Sequence, residues 1–296
     1  LVGSEMCIRD RAGWLSFGGW INAIIPVLIV PYYSVIGGWV IKYFVEYLKG
    51  NGAKLAEDGY FSNFISNGLS TEICFIVFCM FTLIIIYAGV RNGIERVSKF
   101  MMPILVVLSV IIAIYSVTRP GALAGVKYFL VPNPKNFSWM TVVTAMGQMF
   151  YSLSIAMGIL VTFGSYMKKD TSIEDSTRNV EVFDTAIAIM AGLMIIPAVF
   201  VFMGRDGMTA SGPSLMFVSL PKVFDSMGFA GNVIGAIFFA MVFFAALTSA
   251  VSIMEAIVSS FMDEFKLNRN KATAIETVIG IAVAAVSYTH LTLPTI

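Results

Sequence analysis

Apolar stretches alternate with short polar or charged clusters along the whole chain, and seven such stretches can be drawn, at about 14–45, 73–90, 100–117, 139–167, 182–203, 231–261 and 272–286. A helix that crosses a bilayer needs about 20 mainly apolar residues. Several of these stretches reach that length, so the pattern predicts an all-α, polytopic membrane protein. Gly, Pro, Asn or groups of charge such as Arg91, Glu95, Arg96 and Lys99 mark the boundaries. The 139–167 stretch is long for one straight crossing, and its middle is polar.

Composition agrees with the pattern. The chain is 58% hydrophobic and 12% charged, against about 25% charged in a soluble domain. Its net charge of +1 leaves no electrostatic footprint for nucleic acid, which is excluded as a partner. The three cysteines, Cys7, Cys74 and Cys79, have no metal-ligand spacing and read as small lipid-compatible side chains. No HExxH or GxSxG motif is present, and the single histidine, His290, lies in the tail. The chain is not expected to be an enzyme.

Both ends read as foreign. Leu1 to Arg11 has neither the apolar core nor the cleavage site of a signal peptide, and Tyr288 to Ile296 replaces a small-residue apolar pattern abruptly with Thr, His and Pro. Residues 12–287 are expected to be the transmembrane core of a fragment. Lys and Arg are densest in the short loops after the second, fourth and sixth stretches, which places those loops in the cytoplasm. The expected location is the cytoplasmic (inner) membrane.

Polar groups inside hydrocarbon are costly, so their positions point to function. Pro31-Tyr32-Tyr33-Ser34 interrupts the first stretch, with Gly37 and Gly38 a turn later. A Pro-kinked helix with small residues for close packing is the competing reading. The tract Gly147 to Gly158, GQMFYSLSIAMG, sits at mid-membrane depth. It suits a discontinuous helix whose hydroxyls and freed carbonyls coordinate an ion. The alternative is a continuous helix with serines bonded to carbonyls one turn earlier. Asp184 lies near one end of the fifth stretch, and Thr248, Ser252 and Glu255 share one face of the sixth. A mid-helix carboxylate such as Glu255 should face the protein interior.

These tracts, in order, are similar to those of the neurotransmitter:sodium symporters, in the bacterial amino-acid transporter branch with the leucine-transporter fold. The likeness rests on Pro31-Tyr32-Tyr33, Gly93-Ile94-Glu95-Arg96 with Met102-Pro103, Gly147 to Gly158, Gly164-Ser165-Tyr166 with Lys168-Lys169-Asp170, and Phe243 to Ser249. It covers the family's third to ninth helices. The resemblance implies a partial inverted-repeat fold with a broken helix, and sodium-coupled symport of an amino acid or related amine by alternating access. Its implied partners are that substrate, sodium and the lipid bilayer, with a homodimer as the assembly to look for. In folds of this architecture, ions and substrate bind where the broken helices meet near the bilayer midplane.

The resemblance implies roles for individual residues. Tyr33 would meet the substrate carboxylate, Ile29 and Met157 would line the side-chain pocket, and Tyr151 would form its lid. Ser154 would sit at the unwound point, with Ile253 and Ser249 facing the same cavity. Ser152 would be a ligand of a first sodium site, and Ala245 through its carbonyl, with Thr248 and Ser249 through their hydroxyls, ligands of a second. Asp184 falls where the family places a first-sodium ligand or an acidic residue that replaces chloride, which implies chloride independence. Ala156 stands where the family commonly has Gly in the unwound stretch, and Ala250 where a small hydroxyl residue can occur, and both bear on pocket size and substrate. The alternative class is a channel or a non-transporting receptor, distinguished by whether the 147–158 and 245–249 tracts face one cavity.

Overall fold

The apolar stretches fold as helices because in hydrocarbon a backbone must satisfy its own hydrogen bonds. The computed structural model describes residues 16–89, 94–132, 134, 137–155, 157–168, 170–204, 212, 213 and 215–291. Arg91, Gly93, Ala156, Lys169, the N-terminal tract with Cys7, and the last five residues lie outside the described residues.

In chain order the helices are α1 (Ser16–Leu48), α2 (Gly52–Leu55), α3 (Tyr60–Ser66), α4 (Gly68–Tyr87), α5 (Arg96–Val117) and α6 (Ala122–Leu130). They continue with α7 (Trp139–Ser152), α8 (Ile159–Ser165), α9 (Ile173–Met203), α10 (Leu220–Asp225), α11 (Phe229–Phe265) and α12 (Arg269–Leu291). Five of them, α1, α4, α5, α9 and α11, are long and apolar enough to cross a membrane. The chain is a multi-pass membrane protein. Its polar connections hold short helices (α2, α3, α6 and α10) that the hydrophobic pattern did not separate from loop. The Tyr288 to Leu291 part of the expected foreign tail continues α12.

The core is built on α1 and α11, with α4, α5 and α12 packed around them. At 37 residues and 1.5 Å per residue, α11 is ~55 Å long, well beyond the ~30 Å hydrocarbon. It must tilt or project, which puts Glu255 toward one end. The glycine pair in α1 is a packing device: a Cβ on Gly37 would lie 2.5 Å from the Phe78 ring, and one on Gly38 would lie 2.7 Å from the Phe75 backbone nitrogen. Bare glycine lets α4 approach to this distance. Pro26 and Pro31 lie inside α1, which stays helical through both.

An aromatic cluster joins the far half of α1 to α3 and α11. The Tyr43 hydroxyl donates to the Phe217 carbonyl at 2.9 Å, and Phe217 packs on Tyr43 and Phe61 with ring centroids 5.0 and 5.3 Å apart. Phe217 belongs to a π-helical turn at Leu215–Ser219 that leads into α10. Such a turn leaves a carbonyl free to accept a side-chain donor.

Candidate functional site

The fourth stretch is two helices, as its polar middle predicts. Helix α7 ends at Ser152 in two hydrogen bonds characteristic of a helix C-terminus: the Ile155 N–H reaches the Phe150 carbonyl at 3.1 Å, and the Ser154 N–H reaches Tyr151 at 3.1 Å. This pattern needs a left-handed residue just past the helix. Ser154 supplies it at φ 55°, where glycine is the usual occupant and another residue is strained by roughly 1–2 kcal/mol. Chain direction resets at Gly158, whose φ of 69° precedes α8. The polar cluster is therefore released from a helical ladder.

Hydroxyls elsewhere in the spanning helices mostly turn back on their own backbone. Thr82 bonds the Phe78 carbonyl at 3.0 Å, and Ser109 bonds Leu105 at 2.8 Å. Ser152 does otherwise: it donates to the Asp184 carboxylate on α9 at 2.7 Å. Asp184 is partly buried and forms no ion pair among the described residues. Its charge is left to face the cavity.

That cavity has a volume of about 420 Å³ and is open on one side. It gathers Tyr33 from α1, Tyr151, Ser152, Ser154 and Met157 from the break, Asp184 from α9, and Thr248, Ser249 and Ile253 from α11. The 147–158 and 245–249 tracts thus face one cavity. Tyr33 and Ser249 meet across it through their hydroxyls. Thr248 donates its proton to the Phe244 and Ala245 carbonyls at 3.1 and 3.0 Å, which leaves oxygen lone pairs for a cation. Ile29 and Ala245 do not line the cavity. Ile29 packs in the α1–α11 core, and the Ala245 carbonyl accepts from Thr248.

Ser98 and Met102 of α5, and Leu160 and Val180, also line the cavity, although none of them has a role in the site expected from the sequence. Met102 lies in a tract that carries the family likeness. Ser98 gives only an ambiguous signal, because it sits in a charged helix start.

Glu255 leaves this cavity alone. It is fully buried and takes two bonds from Arg269 at the start of α12, Nη1 to Oε1 at 2.9 Å and Nη2 to Oε2 at 2.5 Å. The Tyr166 hydroxyl, just past α8, donates to Oε1 at 2.7 Å. Arg269 Nε also donates to the Ile86 carbonyl at the end of α4, at 3.0 Å. The cluster ties the ends of α4, α8, α11 and α12 together. Nothing in the sequence pairs Arg269 with Glu255, because Arg269 counts there as a loop charge.

The family model described as the Sodium:neurotransmitter symporter family matches residues 61–294. An uncharacterized sodium-dependent transporter of Bacillus subtilis (strain 168), YhdH, is 36% identical over 253 residues, 84% of this chain and 55% of the relative. Another uncharacterized sodium-dependent transporter, from Haemophilus influenzae, is 33% identical over 86% of this chain and 56% of its own length. The chain spans about half the length of the curated relatives it matches. The crystal structure of MhsT in complex with L-phenylalanine superposes with a TM-score of 0.79 at 35% identity, over 92% of this chain and 61% of that one.

Proposed function

This chain belongs to the sodium:neurotransmitter symporter family, and from that premise we propose that the full-length protein carries an amino acid across the cytoplasmic membrane together with sodium. The carrying observation is the hydrogen bond from Ser152, at a helix break, to Asp184 on another helix, beside Thr248 and Ser249. Hard oxygen donors of this kind suit a small cation that keeps no tight shell of nitrogen or sulfur.

In this reading Ser152 and Asp184 hold one sodium ion, and the Thr248 and Ser249 hydroxyls hold another. Tyr33 orients the substrate carboxylate, Ser154 and Tyr151 border it, and Met157 and Ile253 shape the apolar end. That apolar end, together with the L-phenylalanine bound by MhsT, favours an amino acid with an apolar side chain. An Asp184 carboxylate beside sodium balances charge in a low-dielectric site, where unpaired charge is costly. Chloride is then unnecessary. A homodimer in the bilayer is a further part of the proposal, tested by cysteine cross-linking of the full-length protein in membranes.

The test is uptake of labelled apolar amino acids into proteoliposomes with an inward sodium gradient. The expected result is concentrative uptake that stops when sodium is replaced by potassium. Uptake that equilibrates but never concentrates would point instead to a channel.

A further inference from the structure

Another buried carboxylate, Glu276 on α12, belongs to neither cluster described above. It is 2% exposed, and its Oε2 makes no hydrogen bond to any described residue. The walls around it are apolar: Val30 and Pro31 of α1, Leu83 of α4, and Met254, Ile257 and Phe261 of α11. Ser34, Cys79 and Thr277 are the polar side chains that share its cavities. Ser34 is engaged with Cys79, and Thr277 donates to the Thr273 carbonyl at 2.7 Å.

Among the described residues no cation pairs with the carboxylate. Arg269 lies two turns earlier on α12, and its guanidinium is committed to Glu255 and the Ile86 carbonyl. Among the described residues, α1 and α11 turn no charged or titratable group toward Glu276, and α4 turns only the Cys79 thiol. An ionised carboxylate without a partner in such surroundings takes up a proton rather than bear the loss of hydration. A metal ion is a poor fit, since the larger of the two cavities beside it, about 20 Å³, holds roughly one water and offers few oxygens.

We propose that Glu276 is a proton-binding site, a carboxylic acid that stays protonated at neutral pH at the junction of α1, α4, α11 and α12. The step is uptake of one proton from water by the carboxylate on folding, with release of that proton when the site is opened or made alkaline. Among the described residues, none lines both this site and the Tyr33–Asp184 cavity. The adjacent pairs Tyr33/Ser34 and Ile253/Met254 divide between the two, so α1 and α11 stand as a wall between them.

The experiment uses purified full-length protein and infrared difference spectra between neutral and alkaline pH. The wild type should lose the C=O band of a protonated carboxylic acid, and Glu276→Gln should lack that band. A wild type with no such band, or a band that persists in Glu276→Gln, overturns the proposal. Melting curves give an independent reading that does not involve transport. A folded-state affinity for the proton above that of the unfolded chain is fully stabilising at acid pH and lost as pH rises. The wild-type unfolding constant should therefore rise against that of Glu276→Gln by up to about tenfold per pH unit above the ordinary carboxyl range. Parallel pH profiles would overturn the assignment, as would marked destabilisation of both Glu276→Gln and the apolar Glu276→Met at neutral pH, which would mean that the carboxylate is held as an ion by a partner.

Discussion

Asp184 and Glu255 are both carboxylates on apolar helices, and each accepts a hydroxyl hydrogen bond of 2.7 Å, from Ser152 and Tyr166 respectively. Their surroundings then diverge. Glu255 is closed over by protein and neutralised by a two-pronged Arg269, whereas Asp184 turns its charge to an open cavity lined with hydroxyls. A charge with a fixed partner serves as a clamp between helix ends. A charge without one is available to a mobile cation. The two roles follow from the neighbours and not from residue type or depth.

The largest expected effect falls on the clamp. Arg269→Ala strands a fully buried carboxylate, which costs roughly 3–5 kcal/mol, and the melting temperature of the full-length protein should collapse. Arg269→Lys should recover only part of it, since an ammonium cannot match the two-pronged geometry. A melting temperature unchanged by Arg269→Ala would show that Glu255 is protonated and that the clamp is not ionic.

Asp184→Asn should do the reverse, sparing stability and raising the sodium concentration for half-maximal uptake by about tenfold or more, ~1.4 kcal/mol. Wild-type uptake should be indifferent to replacing chloride with gluconate. If it collapses in gluconate, or if the Asn variant behaves as the wild type does, Asp184 is an interfacial charge and the contrast with Glu255 disappears.

A smaller effect is expected at Thr248→Ala, which removes one neutral ligand worth roughly 0.6 kcal/mol on the scale of intramembrane hydroxyl interactions. Sodium activation should shift a few-fold with substrate preference unchanged. Altered preference with an unmoved sodium curve would transfer Thr248 from ion ligand to pocket wall.

The smallest effect belongs to the exposed pair of Asp58 and Lys222, 2.5 Å apart, which links the turn before α3 to α10. Hydrogen bonding and charge from Lys222 hold the Asp58 carboxyl below its ordinary value. Any stabilisation is therefore present above the ordinary carboxyl range and lost as pH falls through the lowered value. Exposed pairs are worth little, so Asp58→Asn should lower the neutral-pH melt by no more than the error, and the two proteins should melt alike at acid pH, where the wild type has lost the pair.

How much of this was legible beforehand differs from element to element. The hydrophobic pattern marks α1, α4, α5, α9 and α11 because hydrocarbon imposes one rule on every spanning residue, and that rule acts locally. The break after Ser152 was legible for a similar reason, since Gly147 to Gly158 holds polar groups that a lipid-facing helix would not tolerate. The short helices α2, α3, α6 and α10 were not, because a few polar residues in a loop give no periodicity long enough to read.

For the site, the sequence by itself determined the supply of groups: hydroxyls at Ser152, Thr248 and Ser249, carboxylates at Asp184, Glu255 and Glu276, and tyrosines at 33 and 151. Only the tertiary structure decided which carboxylate meets a hydroxyl at a cavity, which meets an arginine and which meets neither. Those pairings span 32 residues for Ser152 and Asp184 and 89 for Tyr166 and Glu255. The strength of an electrostatic contact depends on distance and local dielectric, and both are set by how the helices pack against one another rather than by their order along the chain.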